Sequence, residues 1–118
     1  MNIPQQIDCL NANAQEIKVK GKQLIDIGNQ LALADAEYKD SEASAIDKAF
    51  VKAMTISKIP LYIKTATRPQ KKKFENLQYQ YKGLKSEIEI LIEINNNFKL
   101  NLKLQELKIK QLSNPYNQ

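Results

Sequence analysis

The stretch FENLQYQYKGLKSEIEILIEINNNFKLNLKLQELKIKQL, residues 74–112, decides the fold. Steps of three and four residues through it pick out Phe74, Leu77, Tyr81, Leu84, Ile88, Leu91, Asn95, Phe98, Leu102, Gln105, Ile109 and Leu112. Ten of these twelve are apolar, over more than five heptads. A helix turns once in about 3.6 residues, so this spacing gathers them on one seam, the pattern of a coiled coil. Ser113, Asn114 and Pro115 end the predicted helix. Asn95 interrupts the seam. A single polar residue there fixes register and oligomer state at a cost in stability; with Asn96 and Asn97 beside it, a local kink is the competing reading. A second apolar line, Ile90, Ile94, Leu100, Leu104 and Leu107, flanks the first. A helix with two apolar lines needs more than one neighbour. That predicts a homo-oligomer, or a groove filled by a protein partner.

Working toward the N-terminus, a second seam runs through Ile3, Ile7, Leu10, Ala14, Ile17, Gly21, Leu24, Gly28 and Leu31. Asn2 and Pro4 suit a helix start. Ala14, Gly21 and Gly28 fall seven residues apart on one edge of this seam. A glycine inside a helix costs about 1 kcal/mol relative to alanine. Close approach of the second helix, or of a twin subunit, would offset that. Beyond Leu31 the seam is expected to fray, because Asp35 and Glu42 occupy its positions while alanines keep the chain helical. Phe50, Ala53 and Ile56 are expected to resume a buried face.

Between the two helices Pro60 should break the first, while Pro69 and the candidate cap Thr67 open the second. The β-branched stretch between them is either extended or a short helical turn. The resulting layout is one helical domain over residues 1–118: a helix at 3–56, a junction at 57–68, a helix at 69–112 and a tail at 113–118. The fold class predicted is all-α, a long two-helix coiled-coil hairpin, assembling into a dimer or higher bundle.

The net charge of +5 is unevenly spread. Residues 1–53 carry −2, residues 54–85 carry +7 and residues 86–118 balance at zero. A basic middle third points to an acidic surface or a nucleic-acid backbone. The candidate contacts are Lys58, Lys64, Arg68, Lys71, Lys72, Lys73 and Lys82, with Tyr62 and Tyr79 interleaved. Cations track phosphates and rings stack on bases in single-strand binding. Phe74 and Tyr81 belong to the seam and are not free for this. The bland alternative is a solvated lysine face. Lysines near a helix N-terminus oppose the macrodipole, a cost that favours the functional reading.

The chain has no histidine and one cysteine, Cys9. Cys/His zinc sites and a Ser/His/Asp triad are excluded, and a lone thiol makes no internal disulfide. No phosphate-binding glycine loop occurs, and the acidic residues fit no calcium loop. The expectation is a non-enzymatic protein with no cofactor and no metal. The N-terminus has no basic, apolar leader, and no apolar run approaches the roughly 20 residues that span a bilayer. That predicts a soluble cytoplasmic protein with no membrane partner.

Ala36-Glu37-Tyr38-Lys39 on an alanine-rich first helix, a proline-marked junction and a second heptad helix together resemble small helical proteins of phage early regions. The resemblance implies a recombination or replication accessory, or an inhibitor of host defence of the anti-CRISPR type, acting in a host cytoplasm. A nucleic-acid or nucleoprotein ligand is the first expectation, a protein-directed inhibitor or adaptor the second, and a purely structural coiled coil the third.

Overall fold

The computed structural model describes residues 2–113. They form α1 (Ile3–Val51), a 3-10 turn (Ile56–Lys58), α2 (Ile59–Ala66) and α3 (Arg68–Ser113), with no strand among them. The fold is an all-α hairpin of two long helices with a short helix between them. Ser113 is the last residue of α3, and the rest of the predicted tail lies outside the described residues.

α1 opens on a capping box. The Asn2 side chain accepts from the Gln5 backbone N–H at 2.9 Å, and the Gln5 side chain accepts from the Asn2 N–H at 3.0 Å. Two orphan donors of the first turn are thereby satisfied. The helix ends at Val51, five residues before the predicted end. The Ala53 N–H donates to the Phe50 carbonyl at 3.0 Å and the Met54 N–H to the Ala49 carbonyl at 3.2 Å. Ala53 stands at φ 51°. This pairing, with a left-handed residue just past the helix, is a Schellman motif. It turns the chain away, so Phe50, Ala53 and Ile56 are exposed and do not resume a buried face.

The predicted junction is largely helical. Pro60 sits in the first turn of α2, where a missing N–H costs nothing. Thr67 alone separates α2 from α3. Its hydroxyl and its N–H both donate to the Ile63 carbonyl, at 2.7 and 3.0 Å. The side chain therefore closes α2 and does not cap α3. Pro69 explains the break: in an unbroken helix its ring would meet the carbonyl of Thr65.

The contacts divide the chain into two units, Met1–Lys22 with Lys85–Gln118, and Gln23–Leu84. Each combines a stretch of α1 with a stretch of α3, running antiparallel. In the first, Asn95 meets Leu10 and Glu87 meets Lys20. In the second, the Phe74 ring meets Tyr38 edge-on at 6.2 Å, and Tyr81 lies beside Gly28.

The α3 seam faces inward as predicted from Phe74 to Gln105, while Ile109 and Leu112 are exposed. With Asn95 beside Leu10, Leu102 comes level with Ile3 seven residues on. The last turns of α3 thus outrun the start of α1. On α1 one column is as predicted: Ile3, Leu10, Ile17, Leu24 and Leu31 are half-buried. The other is displaced by one residue over its first heptads. Gln6 and Asn13 turn inward, while Ile7 and Ala14 are exposed. One residue is about 100° of helix rotation, enough to move a side chain from seam to solvent.

The seam does not fray after Leu31. Ala34, Tyr38, Ser41 and Ala45 continue the spacing, and Ala34, Ala45 and Ala49 are only 1, 3 and 1% exposed. Small side chains let helix axes approach closely. The tight packing therefore lies in the alanine-rich stretch, not at Ala14, Gly21 and Gly28.

Candidate functional site

The basic candidates all fall in the Gln23–Leu84 unit. Lys58 ends the 3-10 turn, Lys64 is on α2, and Arg68, Lys71, Lys72, Lys73 and Lys82 are on the first turns of α3. Each is exposed. No acidic residue occupies the first turn of α3 to offset them against the helix dipole.

Helical spacing sorts them. Arg68, Lys72, Glu75, Tyr79 and Lys82 follow steps of four and three, so they form one line on the side of α3 opposite its seam. From Arg68 to Lys82 that line is about 21 Å long at 1.5 Å per residue. Its one acidic member, Glu75, lies 4.0 Å from Lys71. Tyr79 is 82% exposed, with its ring free on this face. Lys71 and Lys73 flank the line, and Lys73 reaches Glu37 of α1 at 3.4 Å. Such exposed pairs contribute little stability, and they part at small cost. Tyr62 differs from Tyr79. Its ring carries the Lys52 ammonium 5.0 Å from the centroid, a cation–π contact that occupies the face a base would use.

A second exposed feature lies in the same unit and was not singled out from sequence. Phe50, Val51, Ile56 and Leu61 are large apolar side chains left in solvent around the end of α1 and the start of α2. The signal for it was the apolar, β-branched character of the junction.

The proposed interface residues separate. A Cβ built on Gly21 meets nothing within 4 Å, whereas one on Gly28 meets the Tyr81 ring at 3.5 Å, an ordinary contact. Neither glycine is required by close packing within the chain. Asn95 is buried, and its amide donates to the Leu10 carbonyl at 3.3 Å, so it ties α3 to α1. Its side-chain oxygen has no hydrogen-bond partner. Ile90, Ile94, Leu100, Leu104 and Leu107 are all exposed on α3.

Near Ile90 and Leu91, Lys20 bridges Glu87 at 2.8 Å and Glu16 at 3.8 Å. The hydrogen bond to Glu87 raises the Lys20 pKa above its ordinary 10.5, against a smaller desolvation effect. Among the described residues no three acidic or thiol side chains converge as a metal ion would need, and no helix is long and apolar enough to cross a membrane.

Comparison with protein-family models, with characterised proteins and with solved structures finds no match.

Proposed function

We propose that this chain is a non-enzymatic nucleic-acid-binding protein, a phage-type accessory that contacts a single-stranded backbone, free or within a nucleoprotein, through the basic face of α3. The observation that carries this is the exposed line Arg68–Lys72–Tyr79–Lys82. It sets three cations and a free aromatic ring on one side of a rigid helix, with a single acidic residue among them that already faces Lys71. Lys64 and Lys58 add cations from α2 and the preceding turn. Cations along such a line neutralise phosphates and release counterions, while an exposed ring offers a stacking surface to any base. Fluorescence anisotropy with a labelled single-stranded oligonucleotide tests it. Affinity falls steeply as salt rises, and the triple variant Arg68→Gln/Lys72→Gln/Lys82→Gln loses most of it. Affinity that ignores both salt and this variant would overturn the reading.

A second reading has its own observation. The exposed Phe50, Val51, Ile56 and Leu61 suit an adaptor or defence inhibitor that docks on a protein. Its signature is a salt-resistant partner, retained after nuclease treatment and lost on Phe50→Ser/Ile56→Ser.

A further inference from the structure

The exposed line on the outer half of α3 is self-complementary. Ile90, Ile94, Leu100, Leu104 and Leu107 run along it, with Ile90 56% and Leu104 55% exposed. A shallow depression lined by Ile94, Asn97, Phe98 and Asn101 lies at its middle. All these residues belong to the unit formed by Met1–Lys22 and Lys85–Gln118. The charges around the line are segregated. Residues 87–93 carry three glutamates and no lysine, and residues 99–110 carry four lysines and one glutamate. Glu87 and Lys110 are engaged within the chain, by Lys20 and Glu106. Glu89, Glu93, Lys99, Lys103 and Lys108 make no ion pair with any described residue.

We infer that a second copy of this chain covers the Ile90–Leu107 face, α3 against α3, antiparallel about a two-fold axis near Asn97. The sequence is arranged around that point. Ile90 and Leu104 are equidistant from Asn97, as are Ile94 and Leu100. Antiparallel pairing therefore sets Ile90 level with the second copy's Leu104, and Ile94 level with its Leu100. The flanking charges obey the same centre. Glu89 and Lys103 share one edge of the face by heptad spacing. Turned end for end, that edge meets its own opposite charge. Parallel pairing would instead align glutamate with glutamate and lysine with lysine, which is repulsive. A two-fold interface presents one patch to itself, so a patch with this internal antisymmetry suits a second copy. The short, exposed Asn96 and Asn97 at the centre let the two helices approach.

The test has two parts. Sedimentation equilibrium of the full chain gives twice the 13.5 kDa chain mass, weakening as salt rises. The Ile90→Asp/Leu104→Asp variant gives the single-chain mass with unchanged helicity by circular dichroism, since both positions are exposed. Single cysteines introduced in a Cys9→Ser background read the orientation. Asn97→Cys forms a disulfide-linked dimer under mild oxidation, and Ser86→Cys does not. A wild-type chain that is monomeric at high micromolar concentration overturns the inference. So does an oligomer that survives Ile90→Asp/Leu104→Asp, or a Ser86→Cys chain that cross-links as readily as Asn97→Cys.

Discussion

Ala53 stands at φ 51° because the chain must leave α1 through a left-handed residue, and alanine is an unfavourable choice there. A side chain in that region costs about 1–2 kcal/mol, which glycine escapes. Ala53→Gly is thus expected to stabilise the protein by about 1 kcal/mol after the looser unfolded chain is counted, read as a higher denaturation midpoint in urea. Gly21 is the opposite case. Its missing side chain meets nothing in the chain, so Gly21→Ala should gain about 1 kcal/mol of helix propensity. A loss of stability instead would mean that a twin subunit presses on that backbone. Asn95 carries a third expectation. Its side-chain oxygen is buried without a partner, and an orphaned acceptor costs about 1–3 kcal/mol. Asn95→Leu should raise the thermal midpoint, as the apolar isostere suits the seam. The Leu10 carbonyl would lose only the contact at 3.3 Å.

The long seam of α3 was legible from its sequence because ten apolar residues repeat without a break in phase. It holds until α1 runs out beside it, near Ile3. The α1 seam was half legible. The column Ile3–Leu31 is apolar and was found; the other begins with the polar Gln6 and Asn13, while the apolar Ile7 beside Gln6 drew the register one residue off. The alanine-rich stretch was misread for a related reason. Alanine carries little hydropathy signal, so Asp35 and Glu42 seemed to interrupt a seam that Ala34, Tyr38 and Ala45 continue. The basic residues were visible singly; their division into an outward line and paired flanks needs the helix phase and the position of Glu37. Pairing between α1 and α3 has a pH signature at Lys20. Its pKa in the folded chain is raised above 10.5 by Glu87, so the stabilisation is fully present below that value and is lost as pH rises through the higher folded pKa. Urea denaturation of wild type and Lys20→Met should therefore differ most at neutral pH and converge as pH rises through the raised folded pKa. A gap that persists there would assign the difference to packing of the lysine stem.

For the chain as a whole, the decisive quantity is how the net charge of +5 is deployed. Solubility alone would be served by lysines anywhere on the surface. Instead residues 54–85 hold a +7 balance while the flanking segments are negative or neutral. The charge sits where α3 begins, at the end of the helix least favourable to cations. That arrangement makes a quantitative demand. If Lys64, Arg68, Lys72 and Lys82 each neutralise one phosphate, the logarithm of the binding constant should fall against the logarithm of salt concentration with a slope of about −3 per chain on a single strand. Lys72→Gln should reduce that slope by about 0.7, since one counterion fewer is released. Tyr79→Ala should leave the slope unchanged and weaken binding by about 1–3 kcal/mol, because stacking is lost without any change in charge. Measuring both variants across a salt titration separates the two contributions. A slope that Lys72→Gln does not alter would place the contact elsewhere on the molecule. A Tyr79→Ala chain of wild-type affinity would leave a purely electrostatic contact, with duplex and single strand bound alike.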